Sequence, residues 1–279
     1  MRIDVCLQTR AAQLAALSDT AVLDAQLLLA HVLKVSTTYF YTWPDAQLTP
    51  PQLAEFDGLM AQRIQGKPIA YILGSQAFWT FEVDVAACTL IPRADTERLV
   101  EIALQLLEGC ANPKVLDLGT GTGAVALAIA SERKDAQVQA VDLIDQAVLL
   151  AQNNAQKLGL AVDVYQSSWF DQVKPQSFDL IVSNPPYIDP DDAHLQQGDV
   201  RYEPSSALVA QEQGYSDIKT IADQARAFLT AGGWLAFEHG FEQGAISRQI
   251  LAEYGYQAIQ TQQDYGHNDR VTLGQYSPV

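Results

Sequence analysis

The chain has 279 residues, of which 48% are hydrophobic and 18% are charged. This composition predicts one or two domains with a sizeable core and excludes a disordered chain. The formal net charge is −16, and residues 76–279 carry −15 of it, whereas residues 1–75 carry −1. A surface this negative repels phosphate backbones and anionic lipid, so we expect neither nucleic acid nor a membrane as a direct partner.

The cysteines Cys6, Cys88 and Cys110 are far apart and form no CxxC pair. This pattern excludes a disulfide framework and a zinc site, and it predicts a reducing cytosol as the setting and no metal cofactor. The first ten residues lack the apolar core of a signal peptide, and no apolar run approaches the ~18 residues needed to cross a bilayer. We therefore expect a cytoplasmic protein, and a monomer.

The first third of the chain predicts three helices. Apolar residues recur every three or four positions from Leu7 to Leu17, and residues 22–33 form a denser apolar segment. Thr49 is a predicted N-cap, with Pro50 and Pro51 in the first turn of the third helix. These helices define a predicted domain over residues 1–75, which serves either to dock a partner or only to cover a sheet. Residues 76–92 favour a linking hairpin.

Residues 93–279 alternate between strand and helix patterns. Continuous apolar strands separated by helices predict a parallel sheet covered on both faces, which is an α/β fold. The last two strands, near Tyr256–Thr261 and Arg270–Gln275, are joined by a short turn and predict an antiparallel edge. The earlier predicted strands are Val115–Leu118, Val138–Val141, Val162–Tyr165, Phe178–Ser183 and Trp234–Glu238; the helices between and around them are Glu97–Glu108, Ala124–Ser131, Asp145–Leu158, Ser216–Leu229 and Glu242–Tyr254.

A glycine-rich turn follows the first of these strands and opens a helix. It contains Gly119, Thr120, Gly121, Thr122 and Gly123. Glycine permits positive φ and close approach of a ligand, and a helix N-terminus attracts a carboxylate or phosphate. Asp142 ends the next strand, where a carboxylate can accept hydrogen bonds from both ribose hydroxyls. This pair favours a dinucleotide or S-adenosylmethionine over a purely structural turn, and Asp117 either holds the ligand's ammonium group or supports the loop.

The tetrapeptide Asn184-Pro185-Pro186-Tyr187 comes directly after the strand Phe178–Ser183. Ligands of open α/β sheets bind beyond the carboxyl ends of strands, so we expect this loop beside the glycine turn. Two prolines remove two backbone donors and leave only acceptors. A planar –NH₂ group can give one proton to the Asn184 oxygen and the other to the Pro185 carbonyl, while the Tyr187 ring stacks on it.

Such a clamp suits methylation of a nitrogen whose lone pair is delocalised. Two acceptors bias the nitrogen toward pyramidal geometry, and alignment and electrostatics then carry the rate. The same tetrapeptide can hold the exocyclic amine of adenine, which makes N6-adenine methylation of nucleic acid an alternative that the negative charge disfavours. A rigid proline turn with a packed tyrosine would account for the tetrapeptide without catalysis. A cofactor-dependent binding module is an alternative of another class, but such a module has no need for Asn184 and two donor-free residues together.

The combination of motifs resembles the HemK/PrmC family of peptide chain release factor glutamine methyltransferases. The resemblance covers nearly the whole chain and departs at Ala94, where the family usually has proline. Its segments are Asp24–His31, Arg63–Gly74, Ile91–Glu97, Leu116–Gly123, Ser183–Ile188, Arg201–Leu208, Glu238–Gly240 and Asp264–Leu273.

This resemblance implies a class I methyltransferase with a Rossmann-like seven-stranded mixed sheet over 93–279, an N-terminal helical bundle over 1–75 that docks the release factor, and a linking β-hairpin over 76–92. It implies methyl transfer from S-adenosylmethionine to the side-chain amide nitrogen (N5) of the glutamine in the Gly-Gly-Gln motif of class 1 release factors. Asn184, Pro185 and Tyr187 would be catalytic, and these three with Pro186 would bind substrate. The implied cofactor contacts are Gly119, Thr120, Gly121, Thr122, Gly123, Asp142, Trp169 and Asn184.

Overall fold

The computed structural model describes residues 1–174 and 176–278, which divide into two compact units. The first unit comprises Met1–Ser75 and Ala193–Tyr202, and the second comprises Gln76–Asp192 and the chain from Glu203 onward. Residues 193–202, which the sequence assigned to the second domain, therefore belong with the helices. Their attachment there includes an ion pair of 2.7 Å between Arg63 Nη1 and Asp199 Oδ1. The predicted linking hairpin belongs with the second unit.

The first unit is helical. Its helices are α1 (Ile3–Leu14), α2 (Ala21–Leu33), α3 (Thr38–Thr42), α4 (Pro50–Ile64) and α5 (Ile69–Leu73). Thr49 caps α4 as predicted: its side chain accepts from the Gln52 amide, and the Gln52 side chain accepts from the Thr49 amide. Leu28, Phe56 and Met60 are buried in the shared core of this unit. Because these side chains come from α2 and α4, burial of their apolar surface holds the two helices together.

A two-stranded sheet of β1 (Ser75–Phe78) and β2 (Phe81–Asp84) belongs, apart from Ser75, to the second unit. Its remaining helices and strands are α6 (Glu97–Leu106), β3 (Lys114–Leu118), α7 (Ala124–Glu132), β4 (Gln137–Asp142), α8 (Asp145–Leu158), β5 (Val162–Gln166), β6 (Phe178–Ser183), α9 (Gln211–Gly214), α10 (Ser216–Ala225), β7 (Leu229–Glu238), α11 (Gly244–Glu253), β8 (Gln257–Gln263) and β9 (Asp269–Gln275).

The described residues form one seven-stranded sheet in the order β5-β4-β3-β6-β7-β9-β8. Strands β3 to β7 pair in parallel, and β9 pairs antiparallel with both β7 and β8. This confirms the predicted α/β fold and its mixed sheet. The predicted antiparallel ending is present, with β9 inserted between β7 and β8. Strand β7 starts at Leu229, five residues before its predicted start at Trp234, because a register irregularity after Phe178 lets β6 pair with the earlier segment.

Apolar side chains from alternate strand positions form a separate core on each face of the sheet. Val115 belongs to one buried cluster and Leu116 to the other. This alternation explains why β3 reads as a continuous apolar run in the sequence. Both faces are therefore closed, which leaves the strand ends as the place for a site. Among the described residues, no helix is long and apolar enough to pass through a membrane.

Candidate active site

A cavity lies within the second unit, beyond the carboxyl ends of β3, β4, β5 and β6. It is bordered by the glycine turn after β3, by Asp142 at the end of β4 and by Asn184 after β6. Its lining residues are Cys88, Thr89, Leu90, Pro92, Thr96, Asp117, Gly119, Thr120, Gly121, Thr122, Ala124, Val125, Asp142, Leu143, Ile144, Ser167, Ser168, Trp169, Asn184, Pro186, Ser206, Ala207 and Asp217.

The glycine turn adopts the backbone that its sequence predicted. Gly119, Gly121 and Gly123 have φ angles of 68°, 56° and 85°, a region that side chains disfavour. A Cβ at Gly119 would come within 3.5 Å of the Trp169 ring, so a side chain there would narrow the cavity. Gly123 is not part of the lining; a Cβ there would lie 3.2 Å from the Ala151 Cβ, so this glycine allows close packing of α7 on α8.

Asp142 is held in place by backbone amides. Its Oδ2 accepts from the Gly121 amide at 2.8 Å, and its Oδ1 accepts from the Ile144 amide at 2.9 Å. Burial raises the pKa of this carboxyl, and the amide bonds oppose that shift. Because a carboxylate has about four lone-pair positions, both oxygens can still accept hydrogen bonds from a ligand in the cavity.

Asp117 is the more deeply buried of the two carboxyls. Its Oδ2 accepts a hydrogen bond of 2.6 Å from the Thr120 hydroxyl. Burial raises the pKa of Asp117 to about 7. A cation entering the cavity would stabilise the charged form of this group, which makes Asp117 suited to a ligand ammonium group.

Trp169 lines the cavity from the loop after β5 and has a positive φ of 44°. Burial raises the pKa of the neighbouring Asp217, and a hydrogen bond from Trp169 opposes this shift. The indole is therefore tied to the start of α10 as well as packed beside Gly119. Asp217 also lines the cavity, a position for which the sequence carried no signal.

The residues of the Asn184 loop do not all face the cavity. Asn184 and Pro186 line the cavity, whereas Pro185 and Tyr187 are absent from the lining made by the described residues. The Tyr187 hydroxyl donates to Glu238 Oε1 at 3.1 Å. Burial, and then the Glu238 charge, raises the pKa of Tyr187. The tyrosine, which we expected to stack on a substrate, here anchors its loop to the end of β7.

One part of the lining was not predicted as part of the site. This part comes from segments outside the α-helices and strands, and it consists of Cys88, Thr89, Leu90, Pro92, Ser206 and Ala207. Glu203 joins these segments, because its Oε1 pairs with Arg93 Nη2 at 2.9 Å and its Oε2 accepts from the Ile91 amide at 3.2 Å. Arg93 thus supports the cavity wall, and Glu97 accepts from the Trp79 amide at 2.8 Å.

The remaining predicted chemistry involves metals and thiols. Among the described residues there is no group of three or more histidine, cysteine, aspartate or glutamate side chains that could hold a metal ion. Cys6, Cys88 and Cys110 are all free thiols. The cavity therefore offers carboxylates, backbone amides, an indole and a carboxamide as its binding groups.

The sheet order and a cavity bordered by a glycine turn define the fold of a class I methyltransferase. A Pyrococcus furiosus methyltransferase of known structure matches with a TM-score of 0.54 and 16% identity, over 80% of this chain and 100% of that one. A T. thermophilus 16S rRNA N2 methyltransferase, solved with AdoMet and guanosine, matches with a TM-score of 0.51 and 22% identity, over 72% of this chain and 49% of that one. At these identities the likeness shows the fold alone.

Closer relatives identify the family. The PrmC N-terminal domain model matches residues 6–74, and the methyltransferase small domain model matches residues 95–199. The release factor glutamine methyltransferase of Vibrio cholerae is 52% identical to this chain, over 93% of this chain and 91% of its own length. That of Escherichia coli is 48% identical, over 93% of this chain and 94% of its own length. The chain belongs to the release factor glutamine methyltransferase family, which confirms the resemblance indicated by its motifs.

Proposed function

We propose that this protein transfers a methyl group from S-adenosylmethionine to the side-chain amide nitrogen of the glutamine in the Gly-Gly-Gln motif of class 1 release factors. One observation carries the proposal: Asn184, Gly119 and Asp142 line a single cavity. A carboxamide that accepts hydrogen bonds thus stands beside a nucleoside-type pocket. Family membership supports both the reaction and the substrate.

The cavity residues fit the proposed cofactor. Asp142 would accept from the ribose hydroxyls, Trp169 would flank the adenine and Asp117 would face the ammonium group. The open face of Gly119, where a Cβ would approach the Trp169 ring, leaves room for the ligand beside the backbone. When bound, the cofactor supplies an electrophilic methyl group on sulfur. The chain itself supplies orientation and exclusion of water.

The Asn184 loop would grip the substrate amide. The Asn184 oxygen and the Pro185 carbonyl each accept one proton of the –NH₂ group, since prolines leave no backbone donor at this position. Two fixed acceptors favour a pyramidal nitrogen with its lone pair directed at the methyl group. The Tyr187 hydroxyl donates to Glu238, and this bond would keep the loop in position while it holds the substrate.

The decisive experiment combines an Asn184→Ala variant with mass spectrometry of release factor. We expect loss of methylated glutamine, with cofactor affinity changed less than turnover and the fold intact by circular dichroism. Asn153→Ala, an exposed position on α8, is the matched control and should keep wild-type turnover. Near-normal turnover of Asn184→Ala would contradict the proposal, as would label from tritiated cofactor in DNA or RNA and none in release factor.

We also propose that residues 1–75 dock the release factor. Tyr41 and Trp43 are 75% and 56% exposed, which is unusual for large aromatic side chains and typical of interaction surfaces. Their replacement by alanine should raise KM for intact release factor and leave KM for a short Gly-Gly-Gln peptide unchanged. Leu149→Ala, an equally exposed apolar position in the second unit, is the control. Equal effects on both substrates would remove the docking role.

The whole cavity lies in one unit of one chain, so no second copy is needed to complete it. This supports a monomer as the active form, in the cytoplasm where release factors act. Analytical ultracentrifugation at assay concentrations checks the oligomeric state. Activity that appears only with a dimer would contradict it.

A further inference from the structure

Two hydrogen-bonded side-chain pairs hold the Asn184 loop. The Asn184 Nδ2 atom donates to the Thr96 Oγ1 atom at 3.2 Å, and the Tyr187 hydroxyl donates to Glu238 Oε1 at 3.1 Å. Thr96 and Glu238 are 4% and 1% exposed. Asn184 and Thr96 line the cavity, whereas Glu238 is not part of its lining. One pair therefore lies at the cavity wall, and the other ties the same loop to a buried carboxyl group.

Glu238 lies where its charge can act on Thr96. Burial raises the pKa of Glu238, but the nearby Thr96 hydroxyl and the charges of Arg270 and Arg93 oppose this shift. Its Oε2 atom has no hydrogen-bond partner within ordinary distance in residues 1–174 and 176–278. A buried carboxylate oxygen of this kind strongly favours donors and repels other oxygen lone pairs.

The direction of each hydrogen bond follows from these groups. The charges of Arg270 and Arg93 favour the carboxylate form of Glu238, which can only accept, so the Thr96 hydroxyl directs its proton toward Glu238. The Thr96 oxygen then has only lone pairs left for Asn184. Asn184 must therefore direct its –NH₂ group at the Thr96 oxygen, and its Oδ1 atom then points away from Thr96.

We propose that Thr96 and Glu238 are positioning residues that set the polarity of the nitrogen-binding site, by holding Asn184 with its –NH₂ group against Thr96 and its Oδ1 toward the cavity. The proposal rests on the proposed function, because it concerns how Asn184 meets the substrate amide. It adds a specificity rule to that function. A flipped Asn184 would set its own –NH₂ against that of the substrate, donor against donor.

The rule predicts selection of a donor side chain. A glutamine amide donates to Oδ1, whereas a glutamate carboxylate brings only acceptors and is repelled. A peptide with glutamate in place of the glutamine is therefore a poor competitive inhibitor of the wild-type protein. Removing the Thr96 hydroxyl frees Asn184 to flip and present its –NH₂ group, so the glutamate peptide should then bind more tightly.

The test compares Thr96→Val, Thr96→Ser and a matched control in the full-length protein. Thr96→Val keeps the side-chain shape but removes the hydroxyl, so we expect kcat to fall about 10- to 100-fold with cofactor affinity little changed. Thr96→Ser keeps the hydroxyl and should retain most of the activity. The control is Thr230→Val, because Thr230 donates to the Phe178 carbonyl at the opposite end of β6, and it should keep wild-type kcat.

The inhibition constant of the glutamate peptide distinguishes a positioning role of Thr96 from a merely structural one, because loss of structure alone would not change the preference between the two peptides. In Thr96→Val its inhibition constant should fall relative to that of the glutamine peptide, and in Thr96→Ser the ratio should stay at the wild-type value. Wild-type kcat in Thr96→Val would overturn the proposal, as would equal losses in the valine and serine variants or an unchanged peptide ratio. Should Thr96→Val fail to fold, Glu238→Gln must shift the same ratio. A wild-type protein that methylates no release factor would instead refute the proposed function.

Discussion

Ser183 and Leu118 are register partners at the carboxyl ends of β6 and β3, and the Ser183 hydroxyl donates to the Leu118 carbonyl at 2.8 Å. The next residue of each strand is Asn184 in one case and Gly119 in the other. This single pairing brings together two motifs that are 65 residues apart in the chain. The distance between Asn184 and the glycine turn therefore depends on the register of β6 against β3.

Ser183→Ala tests this connection. It removes a buried donor, and we expect a loss of about 1 kcal/mol in the free energy of unfolding together with a several-fold lower kcat. Urea unfolding and steady-state kinetics measure the two effects. Ser131→Ala removes a similar bond, to the Ala128 carbonyl at 2.8 Å on α7, and should lower stability without lowering kcat. Equal kcat in both variants would show that the register does not depend on this hydroxyl.

Comparing Gly119→Ala with Gly159→Ala separates two effects of an added Cβ, namely strain in the backbone and a narrower cavity. Their φ angles are nearly equal, 68° and 65°, but an added Cβ meets the Trp169 ring only at Gly119 and nothing within 4 Å at Gly159. Both variants should lose about 1–2 kcal/mol of stability. Only Gly119→Ala should weaken cofactor binding, by about 10-fold or more on calorimetric titration. Similar affinities in the two variants would argue against a cofactor beside Gly119.

Asn154 is fully buried and joins the hairpin to the glycine turn. Its Oδ1 accepts from the Asp84 amide at 2.8 Å, and its Nδ2 donates to the carbonyls of Asp84 and Thr122 at 3.0 and 2.9 Å. Asn154→Asp would set a carboxylate oxygen against two carbonyls, so we expect a loss of about 3 kcal/mol or more of stability and weaker cofactor binding. Asn153→Asp, exposed on the same helix, should change neither. A stable Asn154→Asp variant with wild-type affinity would contradict this account.

We expect the Asp117 carboxyl to make cofactor affinity dependent on pH. Burial raises its pKa to about 7, so part of the population carries a proton that a ligand ammonium group must displace. Affinity should therefore rise from about pH 5.5 to pH 7, by up to tenfold per pH unit. Asp117→Asn should remove this slope, and titration in buffers of different ionisation enthalpy reports the released proton. A slope that persists in Asp117→Asn would assign it to another group.

His239 makes stability dependent on pH in the acidic range. It is fully buried, with its ring nitrogens hydrogen-bonded at 2.8 Å to the Gly240 carbonyl and the Thr272 hydroxyl, and burial lowers its pKa to about 4. The unfolded chain takes up this proton near pH 6.5, so the stabilisation is present above pH 6.5 and is lost as the pH falls toward 4.

From pH 7 to pH 5 the wild-type protein should lose about 2 kcal/mol through this group alone. Asp117 acts in the opposite direction, because its raised pKa makes the folded state less stable as the pH rises toward 7. The measurement is therefore the difference between wild type and His239→Gln in urea unfolding at the two pH values. Parallel pH profiles would mean that His239 titrates normally.

Local sequence patterns predicted the elements that depend on neighbours in the chain. Thr49 with two following prolines predicted the start of α4, and Asp145–Leu158 was predicted as a helix with the bounds it has in the structure. The glycine turn and the Asn184 tetrapeptide could also be recognised in the sequence. The conformational freedom of glycine and the missing N–H group of proline are properties of the residues themselves. Capping and hydrogen bonding within a helix or turn involve only residues a few positions apart.

Contacts across long stretches of chain were not predictable in this way. The Asn184–Thr96 and Tyr187–Glu238 bonds join residues 88 and 51 positions apart, and the Arg63–Asp199 bond that holds residues 193–202 in the helical unit joins residues 136 positions apart. Side-chain type alone does not specify such partners. Strand order and packing do, and they also join the Tyr187 hydroxyl to Glu238, a contact that its sequence context did not predict.

The sequence by itself determined the α/β alternation, the glycine turn, the acidic end of β4 and the donor-poor Asn184 loop, because each depends on the intrinsic conformational and hydrogen-bonding properties of consecutive residues. Only the tertiary structure decided which way Asn184 points, what supports Tyr187 and which loops close the cavity. Those features depend on a buried carboxylate and on a strand register that exist only once the sheet has formed.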